Sequence, residues 1–270
     1  RLSETHAREV LQVLDDLIDI LKQKDDQREY AKVLLSRSQI YMKFSRLDES
    51  REDVEKCLNI VQSRLESYPL LMVGGIHTLA ILDRLVGKEK EVEDELQRAI
   101  KIGKEYLGED HIEIARLYKH LGIIYLDKRE LDLSAKMIEM SYQIYSSKLG
   151  EKHPLTISTY NNLGEFYAEK AEFLKAEEIM KRALELRKKV FGEDHPDVAE
   201  SHFKLGELYS NEAKYTSSLS HLLDAKRIYE KVYKNVDQLF TAGVYNQLGI
   251  VYLRLKKLNQ ARKNLKGSLR

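Results

Sequence analysis

Three histidines recur at 42-residue intervals in near-identical settings: Leu107-Gly-Glu-Asp-His111, Leu149-Gly-Glu-Lys-His153 and Phe191-Gly-Glu-Asp-His195. Imidazoles in register invite a metal reading, because histidine is a common zinc ligand. Geometry argues against it. If each copy belongs to its own structural repeat, successive histidines lie roughly 10 Å apart, a helix diameter. Ligands of one ion sit about 2 Å from it. The three are therefore expected to be linker or capping residues. His202 falls on an apolar stripe and reads as a satisfied core histidine. Cys57, the single cysteine, occupies a small-residue position and reads as inert packing. Glu177 and Glu178 read as solvated charge on an outward face. No glycine-rich phosphate loop, Ser/His/Asp arrangement or Cys/His cluster occurs. Neither catalysis nor a cofactor or metal is expected.

The residues that could instead recognise a partner sit on a repeating frame. Residues 159–186 read TYNNLGEFYAEKAEFLKAEEIMKRALEL. Tyr160, Leu163, Gly164 and Tyr167 fall at i, i+3, i+4 and i+7, so they share one helix face. Phe173, Ala176, Met180, Ala183 and Leu184 do the same on a second run, and a polar turn at Glu169 to Glu172 separates the two. The unit is an antiparallel helical hairpin.

Steps of 42 residues (43 for the last) carry Gly164 onto Ser38, Ala80, Gly122, Gly206 and Gly249, all small. The same steps carry Ala183 onto Cys57, Ala99, Ser141, Ala225 and Ser268, again all small. Two such columns in fixed register define six hairpins, at about 26–66, 67–107, 110–149, 153–191, 195–234 and 237–270. Residues 1–25 precede them as a lone helix, a cap or half of an earlier repeat. Pro69, Pro154 and Pro196 all fall between hairpins, as proline's missing N–H requires. The first two hairpins break the pattern. Arg37 stands where the others have Leu, and Asp83 where they have Tyr. A charge on a core stripe is costly unless paired, so either these side chains find partners or that end packs loosely.

A period near 42 suits HEAT/armadillo-type repeats or an elongated tetratricopeptide repeat. Leu163-Gly164 with Tyr167, then Ala176 and Ala183, resembles the tetratricopeptide signature. The Gly-Glu-Asp/Lys-His linkers followed by TYNNLGEFY look like those of kinesin light chains and related proteins. The likeness is strong from about Ala99 to Arg270 and weak before it. It implies an all-α, right-handed superhelical solenoid of antiparallel helix pairs, with a concave groove lined by the first helix of each pair. Nothing in the sequence matches the heptad segment that joins kinesin light chains to the motor.

In the groove register the candidate ligand-facing residues are Arg116, Lys119 and His120 in the third repeat, and Asn161, Asn162 and Glu165 in the fourth. Phe203, Lys204 and Glu207 follow in the fifth, and Asn246 in the sixth. The resemblance implies that asparagines and basic residues there hydrogen-bond an extended peptide, and an amide offers both donor and acceptor to a peptide bond. The register also predicts a polarised groove. Lys32, Lys43, His77, Arg84, Arg116, Lys119 and His120 face only Asp127 in the first three repeats. Glu165, Glu169, Glu200 and Glu207 face only Lys204 in the next two.

The chain has 45 Lys+Arg against 44 Asp+Glu, a formal charge of +1. That balance argues against nucleic acid or a membrane surface as the partner. No apolar run approaches the ~20 residues a spanning helix needs, and the charged first 23 residues do not read as a signal peptide. One cysteine fits a reducing, cytoplasmic compartment. A start without Met and an end inside a helical pattern read as a piece of a longer protein. The expected function is a non-enzymatic scaffold or adaptor holding a partner's extended peptide or helix, with the oligomeric state open. The alternatives are a structural or docking part of a large assembly, and a regulatory domain of a multidomain protein.

Overall fold

The computed structural model describes residues 4–24, 26–233 and 238–268. Among the described residues there are thirteen α-helices and no strand. They are α1 (Glu4–Lys24), α2 (Gln27–Lys43), α3 (Leu47–Gln62), α4 (Pro69–Leu85), α5 (Glu89–Leu107), α6 (Ile112–Asp127) and α7 (Leu131–Leu149). Then come α8 (Pro154–Glu169), α9 (Phe173–Phe191), α10 (Pro196–Asn211), α11 (Tyr215–Tyr233), α12 (Gln238–Arg254) and α13 (Leu258–Gly267). The architecture is an all-α repeat solenoid. It divides into two compact units, Arg1–Ile124 and Tyr125–Arg270, the boundary falling inside α6.

The same short backbone device closes each hairpin. Ser45, Gly87, Arg129, Ala171, Ala213 and Lys256 all have φ between 57° and 80°. In each turn the N–H of the next residue donates to the carbonyl five positions back, as from Glu172 to Tyr167 (2.9 Å) and from Lys214 to Tyr209 (2.8 Å). This is the Schellman ending of a helix. The column that carries tyrosine in most repeats therefore also supplies the capping carbonyl. Between hairpins, Gly108, Gly150 and Gly192 take φ of 94°, 82° and 85° with extended ψ, a region open only to glycine. The following histidine then caps the next helix. His153 Nδ1 accepts from Leu155 N and His195 Nδ1 from Asp197 N, both at 3.2 Å. His111 Nδ1 accepts from Glu113 N in the same way. The linker histidines are thus caps, satisfying N–H groups that have no partner within the helix.

Helices approach closely where the small columns lie. A Cβ on Gly164 would sit 2.6 Å from Met180 Cγ, and one on Gly206 2.7 Å from Leu222. Cys57, Ala99, Ser141, Ala183 and Ala225 are all fully buried, and burial holds the Cys57 thiol up at about 12. In unit 2 the core runs through Met180, Leu184, Val198, Leu205, Leu222, Ile228, Val244 and Leu248. Ala261 is buried there too, and Leu265 packs where a Cβ on Gly249 would stand. Leu258, at the start of α13, is 68% exposed.

In unit 1 the two misfit charges are paired. Arg37 Nε and Nη2 donate to both carboxylate oxygens of Asp53 at 2.6 and 2.7 Å, and Nη1 to Asp15 on α1 at 2.5 Å. Asp83, 4% exposed, accepts from Arg51 on α3 and lies 3.6 Å from Lys88 Nζ. The charges on the core stripe are compensated, and that end does not pack loosely around them.

Candidate functional site

The first helices of successive pairs, α8, α10 and α12, lie side by side in unit 2. A polar ladder crosses them. Lys204 Nζ on α10 stands 3.4 Å from Glu165 Oε1 on α8 and 3.4 Å from Glu207 Oε2 one turn along. Gln247 on α12 donates to Glu207 Oε1 at 3.2 Å. These three charged side chains keep about 30% of their surface in solvent, at 32%, 30% and 29% for Glu165, Lys204 and Glu207. Burial pushes the Glu165 carboxyl up against the pull of Lys204. Lys204 shows the converse balance: burial lowers it, and its two carboxylates together raise it. Two carboxylates share one ammonium, so the face carries net negative charge.

Phe203, on the same stripe of α10, is partly buried against the core, with its ring end 3.9 Å from where a Cβ on Gly243 would stand. Asn246 is exposed on α12. The Asn162 amide nitrogen is buried without a hydrogen-bond partner.

Asn161 belongs to a different arrangement. It is 4% exposed, and with its amide oriented to satisfy its surroundings Oδ1 accepts from Arg187 Nη1 and Nη2 at 2.8 and 3.1 Å. Arg187, on α9 and 3% exposed, also donates to Asp197 O at 2.8 Å and to Ser201 Oγ at 2.9 Å. Its ion-pair partner, Glu200 Oε2 at 3.1 Å, remains half exposed. The sequence reading of Asn161 as a groove residue is corrected: its amide is consumed by a buried guanidinium. A signal for Arg187 was present, since 42-residue steps from it reach Val61, Gly103, Tyr145 and Tyr229. A lone arginine in such a column demands a polar cage. Glu177 is also corrected, being tied to Lys181 at 2.5 Å and to the Tyr209 hydroxyl at 2.9 Å rather than merely solvated.

In unit 1, Arg116, Lys119 and His120 lie on α6, each partly exposed. Arg116 pairs with Glu113 at 3.1 Å. His120 Nδ1 faces His77 Nε2 on α4 at 2.8 Å. One ring must donate and the other accept, so the two rings cannot both be protonated. Burial lowers His77 to about 3 and His120 to about 4, with neighbouring cations adding to the effect. Counting His77 and His120 among the basic groups is therefore corrected: near neutrality they contribute no charge. His202 pairs in the same manner with His221, Nδ1 to Nδ1 at 3.0 Å, as a satisfied core histidine should. A pocket of about 430 Å3 opens beside His120, between Ala80, Ile81, Arg84 and Leu85 on α4, Val92 and Leu96 on α5, and Ile124. Among the described residues no group of three or more metal-ligating side chains converges, and no helix is long and apolar enough to cross a membrane.

The sequence profile of the tetratricopeptide repeat matches residues 114–189 and, one repeat on, 155–231. No curated protein matches the chain. Among solved structures, BtubC (BKLC) from P. vanneervenii is similar, with a TM-score of 0.68 at 20% identity over 82% of this chain and 89% of that one. A Podosopora anserina putative kinesin light chain with nearly identical TPR-like repeats gives 0.59 at 17% identity, over 76% and 97%. NprR in complex with its cognate peptide NprX gives 0.69 at 17% identity, over 95% and 72%.

Proposed function

The chain is a tetratricopeptide repeat protein, and from that premise we propose that it is a non-enzymatic interaction scaffold of the cytoplasm. It holds an extended peptide or helix of a partner protein against the first helices of its hairpins. The observation that carries this reading is the ladder Glu165–Lys204–Glu207–Gln247, which lines up partly exposed hydrogen-bonding groups on three adjacent helices. An extended segment laid across such a row gains charge-assisted bonds whose geometry is already set. A solved neighbour of the same fold carries a bound peptide, which supports the class of ligand. The net charge of the ladder favours neutral or basic segments. Arg84, Arg116 and Lys119 favour acidic ones in unit 1. Complementarity of this kind governs association rate and selectivity more than depth of affinity.

Selection of random 16-residue peptides on the purified protein tests the reading. Peptides recovered on the native chain should be enriched in Lys and Arg, and those recovered on Glu165→Lys/Glu207→Lys should not. Indistinguishable selections would remove the ladder from recognition.

A second reading, docking into an assembly through the second helices, draws on exposed apolar residues there. Leu174 is 82% exposed, and Val190 and Val232 are 40% each. Its mark would be loss of a partner on Leu174→Glu with peptide selection unchanged.

A further inference from the structure

The tyrosine column is broken once, by Asp83 at the end of α4, and what faces it on α5 is another carboxyl, Glu95. Asp83 is 4% exposed and already engaged by Arg51 from α3 and, at 3.6 Å, by Lys88 in the turn. Arg51 is divided, reaching Glu55 as well at 3.8 Å. Glu95 has one oxygen, Oε2, buried with no hydrogen-bond partner. Two ionised carboxylates offer only acceptors to each other, and burial strengthens their repulsion. One proton between them turns the contact into a hydrogen bond and spares Glu95 a buried charge.

We propose that Asp83 and Glu95 form a proton-dependent clasp, which fastens α4 to α5 while they share a proton and loosens when it is lost. The groups facing the pair are Arg51 and Glu55 from α3, Lys88 in the turn, and Glu91 and Arg98 on α5. Burial first, and the Asp83 charge second, hold the Glu95 carboxyl up at about 7, while Arg51 pulls the other way. A pocket of about 210 Å3 beside Glu95, floored by Leu58, Met72, Ile76 and Leu79, gives a freed carboxylate room to take on water. The clasp is a conformational device of unit 1 and does not depend on what the scaffold binds.

The sign follows from linkage. A carboxyl raised in the folded state binds its proton more tightly there, so stability is present at low pH and lost as pH rises toward and through 7. An exposed imidazole is still half protonated at about pH 6.5, so the histidine pairs act in the opposite sense at the lower end of the window. The clasp is therefore read as a difference between two proteins that both keep them. The test is hydrogen exchange of α4 and α5 amides in the native chain and in Glu95→Gln, which keeps a neutral donor facing Asp83. From pH 6.5 to 8 the opening constant of the native chain should rise about fourfold relative to that of Glu95→Gln. The same pH dependence in both proteins overturns the proposal. So does a Glu95 carboxyl that titrates near 4.5 by carbon-13 NMR in the native chain, a measurement that needs no variant to fold.

Discussion

Arg187 holds Asn161, Ser201, Glu200 and the Asp197 carbonyl together from a buried position. A guanidinium in that setting is tolerated only because its donors are matched, and removing it strands several acceptors at once. Arg187→Ala should cost roughly 3–5 kcal/mol in urea unfolding, with loss of α8–α10 protection. A cost under about 1 kcal/mol would mean that the network contributes little. The residue scale is also where the sequence was hardest to read. Helical spacing places Asn161 and Asn162 on neighbouring stripes but does not say which one a long side chain from another helix will claim. The histidine pairs were equally hidden, since His77 and His120 stand 43 positions apart. They carry a pH prediction. Their folded values, about 3 and 4, lie below the ordinary 6.5, so the unfolded chain takes protons that the folded pair refuses. Stability is fully present above pH 6.5 and falls as pH drops toward 4, by roughly 1.4 kcal/mol per unit of separation for each group. His77→Gln should flatten urea-unfolding stability across that window relative to the native chain, and equal slopes would contradict the assignment.

At the scale of the element, the hairpins were legible because small residues and turn positions repeat at a fixed step. Close helix approach requires Gly164, Gly206 and Gly249, and the structure finds partner side chains under 3 Å from a Cβ at each. Gly164→Leu should lower the melting temperature by the equivalent of at least ~1–3 kcal/mol. An unchanged melting temperature would refute the register. The left-handed turn residue was not legible, because five of the six positions hold Ser, Arg, Ala, Ala and Lys rather than glycine. A Cβ in that conformation costs about 1–2 kcal/mol. Part of that cost is recoverable. Ala171→Gly or Ala213→Gly should stabilise by about 0.5 kcal/mol or more, after glycine's extra chain entropy is subtracted. Gly87→Ala should destabilise by about 1 kcal/mol. Thermal unfolding of the three variants checks both directions, and opposite signs would show that the turns are not strained.

For the whole molecule, the repeat period led to the solenoid class, whereas the two-unit division inside α6 left no mark on the columns. Compactness depends on contact density, which a periodic sequence does not display. The functional account rests on the first helices of unit 2 presenting a row of polar groups to an extended partner. The most direct test is the amide-exchange footprint of the tightest peptide recovered by selection on the native chain. Protection should appear on α8, α10 and α12 around Glu165, Lys204, Glu207 and Gln247, and be absent when Glu165→Lys/Glu207→Lys is mixed with the same peptide. Protection confined to α9, α11 and α13, and retained in that double variant, would contradict the account.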